Sequence, residues 1–285
     1  MKKIYLIVCL VILSVASYAA VTEEDLMSTT PNQVREQLQQ NIRMGMKNSE
    51  LLNVYGMLMQ SRYSNQEKNQ ILSQMREAFQ KGATQEAIAN KVGEGLAKNV
   101  SADQMVKALN NVGNRYSFAK LIAERITQEE KVKNRIMSNI AEALTAGMHE
   151  KDVESLMSRD RVRKDKELAA EVSEMARDMV RARINSQDVA KTIGVGIEKG
   201  YSAKEMAEIR AMFRNNFRNM NANELAMNMK YGFEKGYKGG QMAGSMSGTG
   251  NGGSGGGSGA GSSGAGGSGG SSGSGGGHGG GGKGR

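Results

Sequence analysis

One junction recurs along this chain: a Gly or Asn, an apolar residue, a helix N-cap, and Glu, Gln or Asp three residues after the cap. Residues Asn99 to Gln104 read Asn-Val-Ser-Ala-Asp-Gln, and Gly200 to Glu205 read Gly-Tyr-Ser-Ala-Lys-Glu. The pattern predicts caps at Thr30, Lys47, Ser64, Thr84, Ser101, His149, Asn185, Ser202, Asn221 and Lys238. A spacing of 17 residues separates 30 from 47, 47 from 64, 84 from 101, 185 from 202, and 221 from 238. Self-similarity at a fixed period defines an architecture, here short helices in tandem.

Each junction closes one helix and opens the next. Gly45, Gly82, Gly147, Gly200 and Gly236 lie two residues before a cap. That slot suits a left-handed residue, which Gly fills without a Cβ clash. Asn99, Asn219, Arg62 and Arg183 fill the same slot elsewhere. The next residue is apolar (Met46, Tyr63, Val100, Met148, Ile184, Tyr201, Met220, Tyr237) and can staple to Met105, Val153, Val189, Met206 or Leu225 within the following helix. Capping boxes are expected at Thr30/Gln33, Ser64/Glu67, Ser101/Gln104 and Ser202/Glu205, with another at Thr127/Glu130. Pro31, the single proline, falls at a first helical position, where its missing N–H is harmless.

A 17-residue unit less its junction leaves a helix of about 13 residues, or about 20 Å. Such helices are marginal alone in water and must be held by neighbours. Apolar sets at helical spacing supply the packing face, as in Ile88, Val92, Leu96 and in Met206, Ile209, Phe213, Phe217. The fold class expected is all-α: tandem short helices forming an α-solenoid or a curved bundle. A longer echo sets Val92-Gly-Glu-Gly-Leu96 against Ile193-Gly-Val-Gly-Ile197 at an offset of 101 residues. This suggests an internal duplication, about 47–147 and 149–238.

The ends differ from this body. Lys2 and Lys3, the apolar run Ile4 to Ala16 and the small residues Ser17 and Ala19 read as a secretory signal cleaved after residue 19. The run is short for a spanning helix; retention as an anchor is the other possibility. A bacterial periplasmic or secreted location follows. Cys9, the sole cysteine, lies within that signal, so the exported chain carries no disulfide or Cys–metal site. Residues 238–285 are more than half Gly with much Ser, a composition that predicts disorder. The helical domain is therefore expected over 20–237.

Candidate sites are few. Twenty methionines include Met44, Met46, Met57 and Met59, whose thioethers suit Cu(I); core packing is the competing use of Met. A basic row Arg210, Arg214, Arg218 runs at i, i+4, i+8 beside Ile209, Phe213 and Phe217. A second basic cluster, Arg159 to Lys166, is interleaved with Asp160 and Asp165, which favours local ion pairing. The paired glycines Gly93/Gly95 and Gly194/Gly196 follow no strand, which argues for close helix packing over phosphate binding. The two histidines, His149 and His278, form no cluster for metal or catalysis, and no nucleophile arrangement is visible. Removing Lys2 and Lys3 leaves 36 basic against 29 acidic residues, a net +7, which permits anionic partners without demanding them. The tail has neither aromatics nor Arg-Gly-Gly repeats, which speaks against nucleic acid. The reading is a non-catalytic, cofactor-free interaction or scaffolding module with an unidentified protein partner. Arg210, Arg214 and Arg218 are its contact candidates. The alternatives are Cu(I) buffering and binding to an anionic polymer or lipid headgroup.

Overall fold

A computed structural model describes residues 22–246. Fourteen helices occur among the described residues, and no strands. In chain order they are α1 (Glu23–Thr29), α2 (Asn32–Arg43), α3 (Ser49–Gln60), α4 (Asn65–Gln80), α5 (Gln85–Ala97), α6 (Ala102–Glu124) and α7 (Glu130–Thr145). There follow α8 (Glu150–Met157), α9 (Asp160–Lys164), α10 (Lys166–Arg181), α11 (Ser186–Glu198), α12 (Ala203–Asn216), α13 (Ala222–Lys235) and α14 (Gly239–Met246). One continuous row is built by successive packing of α2, α4, α6, α7, α10, α12 and α14. The other helices form an outer row in two pieces, α1–α3–α5 and α8–α11–α13, with the short α9 set against α8 and α10. This is a two-layer helical stack of the solenoid kind.

The expected junctions set these helices. Gly45, Gly82, Gly147, Gly200 and Gly236 all have positive φ, as do Asn99 and Arg183. Asn219 and Arg62 do not. Ser64, Ser101 and Ser202 form reciprocal capping boxes with Glu67, Gln104 and Glu205. Thr22 and Asp25 add one more. Three expected caps move. Thr30 turns inward and donates to Leu26 O at 2.6 Å, leaving Pro31 to start α2. Asn48 replaces Lys47, and its shorter side chain accepts from Leu51 N. Glu129 opens α7 without a side-chain cap, so the Thr127 box does not form. The staple partners Met105, Val153, Val189, Met206 and Leu225 are all buried.

Arg183 holds φ +67° and is exposed. A left-handed non-glycine residue costs about 1–2 kcal/mol. Arg183→Gly is therefore expected to stabilise the fold by about 1 kcal/mol, read as a higher urea midpoint at unchanged slope.

The 17-residue spacing marks half of the structural unit. Most successive row helices start 33 to 37 residues apart, because each unit holds one helix from each row; α6 and α7, with no outer helix between them, start 28 apart. Side chains clamp one unit to the next at this separation. Tyr63 Oη donates to Val100 O and Tyr201 Oη to Tyr237 O, both at 2.6 Å. Arg62 reaches Asn99 O at 2.6 Å, and Arg161 reaches Gly200 O and Tyr201 O. The 101-residue offset extends further than the glycine echo. N-caps Asn48 and His149, Ser64 and Asp165, Thr84 and Asn185, and Ser101 and Ser202 are each that far apart. So are the donors and acceptors of two bonds, Asn48 N to Gln85 Oε1 and His149 N to Ser186 Oγ, both at 2.9 Å.

The interior glycines divide in two. A Cβ on Gly95 would strike Met105, and one on Gly196 would stand 3.0 Å from the Phe233 ring. One on Gly194 would meet the guanidinium of Arg159 at 2.8 Å. Gly93 has open space, so close packing explains Gly95, Gly194 and Gly196 but not Gly93.

The outer row changes sides midway. Residues two apart on a helix project about 200° apart. On α7, Ile140 and Ala143 meet Val153 and Leu156 of α8, whereas Glu142 and Thr145 border a cleft against Thr84 and Lys91 of α5. Helices α5 and α8 therefore lie on opposite faces of the continuous row. At the end of α6 the same holds: Tyr116 meets Thr84 at 3.3 Å, while Arg125 reaches Glu154 of α8 at 3.4 Å.

The helical domain runs past residue 237. Met242 and Met246 of α14 are fully buried against α12 and α13, and Ser245 bonds Asn228 O. The expected signal and the Gly/Ser tail from residue 247 onward lie outside the described residues. No described helix is long and apolar enough to cross a membrane.

The start of α14 is pinned electrostatically. Lys238 Nζ lies 2.6 Å from Glu205 Oε1, and Ser202 N and Oγ donate to Oε2 at 2.8 and 2.9 Å. The Lys238 bond first, then the Ser202 N–H, lower the Glu205 carboxyl from 4.5 to about 2. A depressed carboxyl stabilises the fold above its unfolded value and loses that contribution as pH falls through the folded value. Solvent screening limits the gain to about 1 kcal/mol. Glu205→Gln should thus lower stability at pH 7 and have much less effect near pH 2, measured by urea unfolding at both.

Candidate functional site

Helix α10 carries Glu167, Glu171, Glu174 and Asp178 at i, i+4, i+7 and i+11, one face of a helix. Its neighbours in the row each send an arginine across that face. From α7, Arg135 bonds Glu171, meets Glu174 at 2.5 Å and lies 3.6 Å from Glu167. From α12, Arg210 lies 3.2 Å from Glu171, 2.6 Å from Glu174 and 3.4 Å from Asp178. Glu171 and Glu174 are thus each held from both sides. The Glu174 hydrogen bond, outweighing partial desolvation, makes Arg135 more basic than an ordinary arginine. Arg177 closes the ladder, bonding Asn139 and reaching Asp178 at 2.9 Å.

The three arginines expected on one contact row separate here. The Arg210 side chain is only 15 % exposed and is consumed by the carboxylate ladder, so it is not available for contact. The Arg214 side chain is 60 % exposed, its Nε 4.0 Å from Asp178. Arg218 is exposed and has no ion-pair partner among the described residues. Arg214 and Arg218 border a cleft of about 490 Å³ between α10 and α12, with Arg181 on its far wall and Asn215, Phe217 and Ala211 lining it. Arg181 had a sequence signal of its own, one turn from Arg177 near the end of α10. No protein-family model, curated protein or solved structure matches the chain.

A second cleft, of about 360 Å³, lies where α5 meets α6 and α7. It is bordered by Lys91, Arg115, Tyr116, Glu142 and Thr145, and again by Arg181. Burial pushes the Tyr116 hydroxyl upward in pKa, opposed by its contact with Thr84. Arg115 donates to Thr145 Oγ1 at 3.3 Å, and Arg181 meets Glu142 at 2.9 Å.

The second basic cluster ties elements together. Arg159 pairs with Glu198 at 2.6 Å, Arg161 bonds three carbonyls at the end of α11 and in the junction after it, and Lys166 pairs with Glu129. Its partners lie on other helices, 36 to 40 residues away, rather than on the interleaved acids. The four candidate thioethers are dispersed in exposure: Met46 is fully buried, Met59 partly buried, and Met44 and Met57 exposed. Among the described residues, no three His, Cys, Asp or Glu side chains converge as metal ligands. What the exposed arginines offer chemically is recognition of anions by planar, charge-assisted hydrogen bonds.

Proposed function

We propose that this chain is an exported, non-catalytic helical-repeat protein that serves as an interaction or scaffolding module for a protein partner. The observation that carries the reading is the open polar face of α7, α10 and α12. There, fixed ion pairs hold the row rigid, while beside a cleft Arg218 has no ion-pair partner among the described residues and Arg214 has only its 4.0 Å approach to Asp178. Stacked helices of this kind offer extended surfaces suited to contact. Export rests on the N-terminal signal pattern, and N-terminal sequencing of the secreted chain is expected to begin at Ala20.

The test is a crosslinking pull-down from native envelope and medium fractions using the full chain. A specific protein retained by the wild type and lost on Arg214→Glu with Arg218→Glu supports the module. A blank in both fractions removes it.

A further inference from the structure

Resting on that reading, we infer that the two clefts form one groove that takes an extended acidic segment of the protein partner. The clefts share Arg181, so the groove crosses from α6 over α7 and α10 to α12. Three steps between neighbouring helix axes, each about 8–10 Å, make its span about 27 Å. An extended chain covers that distance in about eight residues.

The charge pattern selects the ligand. Arg115, Arg214 and Arg218 face this groove with no ion pair closer than the 4.0 Å approach of Arg214 to Asp178. Between these cations sit the carboxylates of Glu142 and Asp178, each already engaged by arginine, and the α5 wall adds Glu86 and Glu94, the latter tied to Lys91 at 2.6 Å. A polyphosphate or nucleic acid, charged at every step of its backbone, would press against all four. A peptide can place carboxylates opposite the free arginines and neutral residues opposite the fixed acids. Asn90, Asn215 and Thr145 line the same path and suit a peptide backbone.

The test pans a phage library of randomised eight-residue peptides on the immobilised full chain. The expected result is enrichment of peptides carrying spaced Asp or Glu. Their affinity should fall about tenfold for each arginine removed, in Arg115→Ser and in the Arg214→Ser/Arg218→Ser pair, and should not change in Arg43→Ser. Unfolding curves of the variants check that the fold is retained. Absence of enrichment, enriched peptides without acids, or equal binding to the arginine variants would overturn the groove. So would tighter binding of a polyphosphate of matched charge, which would assign the site to an anionic polymer. If the envelope partner is still captured by the serine variants while acidic peptides fail, the groove falls and the interaction module stands.

Discussion

Arg210→Leu is expected to destabilise the protein by about 3 kcal/mol, measured by urea unfolding. Removing one partner from a buried ion network strands the others, at a typical cost of 3–5 kcal/mol. The lower end applies because each carboxylate keeps a second partner. Arg135 still holds Glu171 and Glu174, and Arg177 still holds Asp178. The contrast is internal: Arg214→Leu removes an exposed guanidinium and should change stability by no more than about 0.5 kcal/mol. Combining Arg210→Leu with Glu174→Gln should recover part of the loss, because the two groups are coupled. Equal stabilities for Arg210→Leu and Arg214→Leu would show that the ladder does not hold the row together.

The second large effect is steric. Gly196→Leu should cost about 3 kcal/mol, since overpacking a filled core typically costs 1–3 kcal/mol. Its Cβ would stand 3.0 Å from two carbons of the Phe233 ring. That ring is fully buried and packed edge-on against Tyr201 at 4.8 Å, so it has nowhere to move. The two helices would have to separate, opening the α11–α13 contact. Gly93→Ala supplies the control. Its Cβ meets nothing within 4 Å, so the helix propensity of Ala should emerge as a gain of up to about 1 kcal/mol. A loss at Gly93 or a gain at Gly196 would contradict the assigned packing.

Much of the fold was legible because its determinants are local. A cap such as Ser202 acts on Glu205 three residues away, and a left-handed Gly200 acts on its own turn, so the sequence displays both. The all-helical reading and the staple residues followed from that. The 17-residue spacing is that of successive helices, and because the junctions of both rows look alike it does not by itself show that the structural unit is twice as long. Bonds across units, such as those from Tyr63 to Val100 and from Tyr201 to Tyr237, reveal which helices are neighbours. Asp165 was missed as a cap because it sits in a charged run that masked the junction. The fate of Arg210 depended on Glu171, Glu174 and Asp178, which lie 32 to 39 residues earlier. The four-acid stripe on α10 was the available signal. Its spacing predicts one helical face that needs cations, but which helices supply them is a matter of stacking order. The end of the domain was placed too early for a simpler reason. Met242 and Met246 are two apolar residues in a Gly-rich setting, enough for one buried turn and too few to dominate composition.

The crossing of the outer row from one side to the other gives the molecule two fronts. The face formed by α7, α10 and α12 is covered by no described helix on the side where α5 lies. The face formed by α2, α4 and α6 is bare on the side where α8 lies, and it carries its own ladder, with Arg76 bonding Gln37 at 3.0 Å and Lys81 bonding Asn114 at 3.0 Å. A one-sided solenoid would gather both halves around a single hollow. Here a body seated on one half leaves the other half facing away and unobstructed. Two bodies could then be held back to back by one short chain, each blind to the other's bulk and joined through the α6–α7 seam.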